Sequence, residues 1–125
     1  MRPEDRAQSE IFTLLAWLAP SVVAYAIPNS SRRTRTGKAS NAVPGLRPGV
    51  WDIAMILPMD CDWPGRTAYC EVKAATGRLS KEQVEFGAML ESRGVPHFIA
   101  KAPNHLDHVR RALRDWRVKT REAGT

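Results

Sequence analysis

The run Thr67-Ala68-Tyr69-Cys70-Glu71-Val72-Lys73 has the apolar and aromatic content of a β-strand, yet carries two opposite charges near its end. Side chains alternate between the faces of a strand, so Glu71 and Lys73 must share one face while Cys70 and Val72 take the other. A second run, Val50 to Leu57, reads as the preceding strand and holds Asp52. If these strands are neighbours, two carboxylates and an ammonium converge on one patch of an otherwise apolar sheet. Ionised groups removed from water cost several kcal/mol each unless they are paired. Such groups are seldom placed on apolar strands unless a metal or a substrate compensates them.

Elements predicted along the rest of the chain frame those strands. Pro3 to Leu18 reads as a helix, with Ile11, Leu14, Leu15 and Leu18 at i, i+3, i+4, i+7 spacing. Pro20 stops it, and Ser21 to Ile27 reads as a strand closed by Pro28. Asn29 to Gly49 has no apolar periodicity and reads as a long functional loop. A turn with Pro58, Pro64 and Gly65 joins the two central strands. Ser80 with Gln83 three residues on has the form of a capping box, opening a helix that ends at Arg93-Gly94. Pro96 to Lys101 reads as a last strand. Asn104 to Arg121 reads as a closing helix with Leu106, Val109, Leu113 and Trp116 turned inward. The expectation is a single α/β domain over residues 1–125, ordered helix, three strands, helix, strand, helix around a mixed sheet.

Charge is distributed unevenly. The chain of 125 residues has a formal net charge of +6, which favours an anionic partner. No acidic residue occurs between Glu10 and Asp52, whereas Arg32, Arg33, Arg35, Lys38 and Arg47 all fall there. A second basic block holds Arg110, Arg111, Arg114, Arg117, Lys119 and Arg121. Two such blocks flanking a carboxylate pair favour a polyanion. The two cysteines do not suggest a disulfide framework, and no run approaches a membrane-spanning length, so a reducing, cytoplasmic setting without membrane attachment is expected.

An Asp on one strand and Glu-x-Lys on the next, with Glu71 19 positions after Asp52, resembles the signature of PD-(D/E)XK (restriction-endonuclease-like) nucleases. The ordered set Ile27-Pro28-Asn29, basic loop, Gly49-Val50-Trp51-Asp52, Glu71-Val72-Lys73 and Gly77-x-Leu79-Ser80-x-x-Gln83 is similar to the VRR-NUC family, the virus-type replication-repair nucleases. The similarity runs from about Glu10 to Lys101. It implies a Mg²⁺- or Mn²⁺-dependent DNA phosphodiesterase, in a bacterial or phage-infected cell, acting on branched DNA as a homodimer or in DNA repair. Asp52 and Glu71 would then be metal ligands together with the Val72 carbonyl, Lys73 the catalytic lysine, Glu10 the first-helix acid and Gln83 the polar residue that orients the site. The family usually has proline directly before its aspartate, where this chain has Trp51.

Other readings of the same residues stay open. Glu10 can be a solvated helix residue. Gln83 can serve only the capping box, since capping and a role in the site are expected to need different rotamers. Asn29 can simply make a turn, and His105 and His108 read as surface residues. Trp63 packs on its own domain, stacks on a base or meets a partner subunit. For function, a sequence-specific restriction-type endonuclease, a non-catalytic DNA-binding module on the same fold and a small RNA-binding protein are the alternatives.

Overall fold

The computed structural model describes residues 1–28 and 44–122. Helix α1 spans Pro3–Leu18, with proline in its first turn and Glu4 and Asp5 beside the N-terminal end of the helix dipole. Its buried stripe is Ala7, Ile11, Leu15 and Leu18. The chain then forms β1 (Val23–Ala26), β2 (Ile53–Ile56), β3 (Thr67–Lys73), α2 (Lys81–Ser92), β4 (His97–Lys101) and α3 (His105–Asp115). The four strands form one mixed sheet in the order β1-β2-β3-β4, antiparallel except for the parallel pair β3 and β4.

Strand alternation divides the core in two. Ile53 pairs with Cys70 and Met55 with Ala68, so these side chains lie on one face with Val72. That face is covered by α1 and α3 through Ile11, Leu15, Leu18, Val109 and Leu113, all fully or nearly fully buried. Cys70 is a free, buried thiol in this layer, and its burial pushes its pKa well up. The opposite face carries Tyr69, Glu71 and Lys73 and is covered by α2. There Phe86 meets Tyr69 edge-on at 5.6 Å between ring centroids, and Trp51 and Leu90 complete a second apolar cluster.

Three boundaries differ from the sequence expectation. The first strand is Val23–Ala26, shorter than Ser21–Ile27. The second is Ile53–Ile56, leaving Trp51 and Asp52 just outside it. The backbone ladder stops there because the Asp52 carboxylate itself accepts the Val72 N–H at 3.0 Å. The closing helix ends at Asp115, not near Arg121. Arg117 takes a left-handed conformation with φ 57°, its N–H bonds Arg114 O, and the Val118 N–H bonds Leu113 O at 2.9 Å. This is a Schellman cap made without glycine, held by packing Val118 against Leu113 in the core. The left-handed arginine costs roughly 1 kcal/mol, which burial of Val118 offsets. Residues beyond it turn back, and the Arg121 N–H reaches Leu18 O.

Candidate active site

Register builds the site. Because Ile53 lies opposite Cys70, continuing the antiparallel pairing by one residue sets Asp52 opposite Glu71. Both fall on the α2 face, beside Lys73. Like charges directly opposite on neighbouring strands destabilise a sheet, so this pair exists at a cost to the fold. Glu71 is fully buried. Its Oε2 is held by the Lys73 ammonium at 3.2 Å and by the Gln83 side-chain amide at 2.8 Å. Its Oε1 is buried with no hydrogen-bond partner among the described residues.

The electrostatics follow from that geometry. Burial first, then the Asp52 charge, pushes the Glu71 carboxyl up to about 8, against the pull of Lys73. Burial likewise raises Asp52, although the Val72 N–H and Lys73 favour its charged form. The pair therefore resists carrying two negative charges at neutral pH unless a cation joins it.

Gln83 performs both roles that the sequence set against each other. Its Oε1 accepts from the Ser80 N–H at 2.9 Å and its own N–H donates to the Ser80 hydroxyl at 3.1 Å, closing the capping box. Its Nε2 is left to donate to Glu71. The expected conflict fails because an amide has two ends, an acceptor and a donor, and one rotamer uses each separately.

Trp51 fixes this helix against the strand. Its indole N–H donates to the Gln83 carbonyl at 3.0 Å, and its ring lies over Gly87, where an added Cβ would come within 2.7 Å. Two residues earlier Gly49, with φ 86°, lies so close to the Glu82 backbone that a Cβ would come within 2.5 Å. The segment leading to Asp52 is thus pressed on the start of α2, which delivers Gln83. The sequence offered Trp51 only as a departure from a pattern, and its structural role had no local signal.

The first-helix acid is corrected. Glu10 points to α3, where its Oε1 lies 2.7 Å from His105 Nε2. His105 is consequently buried, not a surface residue as expected, and its Nδ1 has no partner among the described residues. Glu4 takes the place assigned to Glu10, with Oε1 3.9 Å from Lys73 Nζ. Glu4 precedes Ala7 and Ile11 by three and seven positions and so continues the buried stripe toward the sheet. Glu10 precedes Ile11 by one and is turned about 100° away.

The basic residues separate into groups. Arg32, Arg33, Arg35 and Lys38, with Asn29, lie outside the described residues. Arg47 is exposed two positions before Gly49. Arg110 is held by both carboxylate oxygens of Glu122 at 3.1 Å, Arg117 faces Asp62 at 3.9 Å, and Lys119 faces Asp60 at 3.2 Å. Asp60 and Asp62 belong to the β2–β3 connection, at the other end of β3 from Glu71. The distance from Glu71 to Thr67, where that connection joins β3, is about 13 Å along the strand. Arg114 is exposed on the last turn of α3. The structure does not bring Arg110, Arg114 or Arg117 to Asp52. Trp63 packs on the main core with Arg66 over its ring, as one of its expected readings had it.

No family model matches the chain, and no curated protein or solved structure matches it either.

Among the described residues no cluster of three or more His, Cys, Asp or Glu side chains is arranged for a metal. The donor set at this site is smaller. It comprises the Asp52 and Glu71 carboxylates and the Val72 carbonyl, which shares the β2-facing side of the strand with the Val72 N–H. A hard divalent cation such as Mg²⁺ suits one or two carboxylates, completing its shell with water and phosphate. The unpartnered Glu71 Oε1 beside a second carboxylate fits that ion. Among the described residues no helix is long and apolar enough to cross a membrane.

Proposed function

We propose that this protein is a Mg²⁺- or Mn²⁺-dependent DNA endonuclease of the PD-(D/E)XK type, with a VRR-NUC-like preference for branched DNA. The observation that carries the reading is the buried Glu71 Oε1, without a partner among the described residues, placed across from Asp52 and beside Lys73. Asp52, Glu71 and the Val72 carbonyl would hold the ion. A bound divalent cation activates water and neutralises charge developing on the scissile phosphate. Lys73, held by Glu71 and Glu4, keeps an ammonium at the water's approach and stabilises the added negative charge in the transition state. Gln83 holds the Glu71 Oε2, which would leave Oε1 available to an ion. One site per chain nicks one strand; symmetric cutting of both strands would use a homodimer.

The test is cleavage of linear duplex, flap, splayed and four-way DNA by the wild type and Asp52→Ala, each in Mg²⁺, Mn²⁺ and EDTA. The expected result is cutting by wild type in either metal, favouring branched substrates, and none in EDTA or in the variant. Lys73→Ala is expected to cost about 100-fold or more in rate. Cutting without metal, or cutting that survives Asp52→Ala, would overturn the mechanism. Cutting at one fixed sequence of unbranched duplex would replace branch selectivity with a restriction-type activity.

A further inference from the structure

Lys73 and Lys101 are register partners on the parallel strands β3 and β4, so their side chains share a face at the carboxyl ends of both strands. The two are held there by backbone bonds: the Ala102 N–H donates to Lys73 O, and the Lys101 N–H donates to His108 Nδ1 at 3.1 Å. Lys73 is buried and occupied by Glu71 and Glu4. Lys101 is exposed and has no acidic partner among the described residues. Two like charges side by side are unfavourable unless an anion lies over them.

Arg78 and Lys81 follow this pair in the chain, in the connection and first turn of α2 that leave the carboxyl end of β3. Gly77 packs on the Lys73 side chain, with the Cδ 3.4 Å from where a Cβ would stand, so Arg78 follows directly after a contact with Lys73. Lys81 opens α2 next to Ser80, whose capping partner Gln83 grips Glu71. Both cations are exposed and without an acidic partner among the described residues. Glu82 follows Lys81 in the first turn of α2, and Glu4 is turned to Lys73. The N-terminal end of α2 adds its own positive dipole to the same edge.

We propose that Lys101, Arg78 and Lys81 form the rim that seats the DNA phosphate backbone over the Asp52–Glu71 pair, in place of the α3 arginines. This rests on the nuclease reading for its ligand. Ligands in open α/β sheets bind at the carboxyl ends of parallel strands, which is where these three residues sit. In the α3 block Arg110, Arg117 and Lys119 have acidic partners of their own, and the helix ends toward the other end of the sheet.

The test is fluorescence anisotropy of labelled duplex and four-way DNA in EDTA, across a salt series. It compares wild type, Lys101→Glu, Arg78→Glu/Lys81→Glu and Arg114→Glu/Arg117→Glu, each checked for folding by thermal melt. The two double variants change the net charge equally, so a difference between them reports position. The expected result is about tenfold weaker binding in each rim variant, with a salt slope shallower by about one per lost contact. The α3 variant stays within about twofold. Equal loss in both double variants, loss only in the α3 variant, or no DNA binding by wild type would overturn the rim. Metal-dependent cleavage by wild type is read in parallel. Rim-dependent binding without cutting would defeat the nuclease reading alone, and Asp52-dependent cutting with unchanged rim binding would defeat the rim alone.

Discussion

The two ends of the sheet are built to opposite rules. At the β2–β3 connection charges are matched: Lys119 has Asp60 and Arg117 has Asp62. At the carboxyl end of β3 the matching is incomplete. Glu71 is buried with a second carboxyl, Asp52, across from it, and among the described residues its Oε1 has no hydrogen-bond partner and Lys101, beside Lys73, has no acid. The first end is arranged for stability; the second keeps unfavourable electrostatics that a cation and a phosphate would relieve. A fold tolerates such a site only because the rest of the molecule stabilises it.

The largest effect that would break this contrast concerns pH. With its carboxyl raised to about 8 in the fold and near the ordinary glutamate value when unfolded, Glu71 binds a proton more tightly in the native state. Its favourable contribution is present below the unfolded value and is lost as pH rises through about 8. Metal-free protein should therefore lose a few kcal/mol between pH 5 and pH 8.5, measured by urea unfolding. Glu71→Gln should remove most of that dependence, and Mg²⁺ should restore stability to wild type at pH 8 but not to Glu71→Gln. A flat profile for wild type would mean that the carboxyl end is as well compensated as the other.

A smaller effect isolates Gln83. Gln83→Ala removes the capping acceptor and the donor to Glu71 together, and should cost about 2 kcal/mol. Gln83→Glu retains the cap but places a third carboxylate against Glu71 Oε2. It should be destabilised mainly above pH 6, and chemical denaturation at pH 5 and pH 8 separates the two variants. The smallest effect belongs to the matched end. Asp60→Ala and Asp62→Ala should each change stability by about 0.5 kcal/mol or less, because exposed ion pairs contribute little. A loss above about 2 kcal/mol from either would show that the connection is more than a solvated turn.

The central pair was legible in the sequence because a period of two leaves no freedom: once β3 exists, Glu71 and Lys73 must share a face. The α/β architecture and the bounds of α1, β3 and α2 follow from equally local signals, namely helical spacing, a capping box and a terminal Gly94. The end of α3 was hidden because its cap uses Arg117 in a conformation that glycine normally signals, and only the distant core explains it. Glu10 was preferred over Glu4 because both lie on one helix and its phase against the sheet is a tertiary property. Arg110 and Arg117 read as free cations since their acids are remote or irregular in sequence.

Asp52 is also held by its backbone, for its carbonyl accepts the Ile27 N–H at 2.7 Å. That bond fastens together the two ends of the segment connecting β1 to β2. Lengthening a closed loop adds little entropy cost, about 0.6 kcal/mol for each doubling. The segment can therefore gain or lose residues while Asp52 stays where it is, which makes it a natural insertion point. Changes of length there would leave the Asp52–Glu71 pair in place, so the chain is open to diversification at one place and conservative at the next.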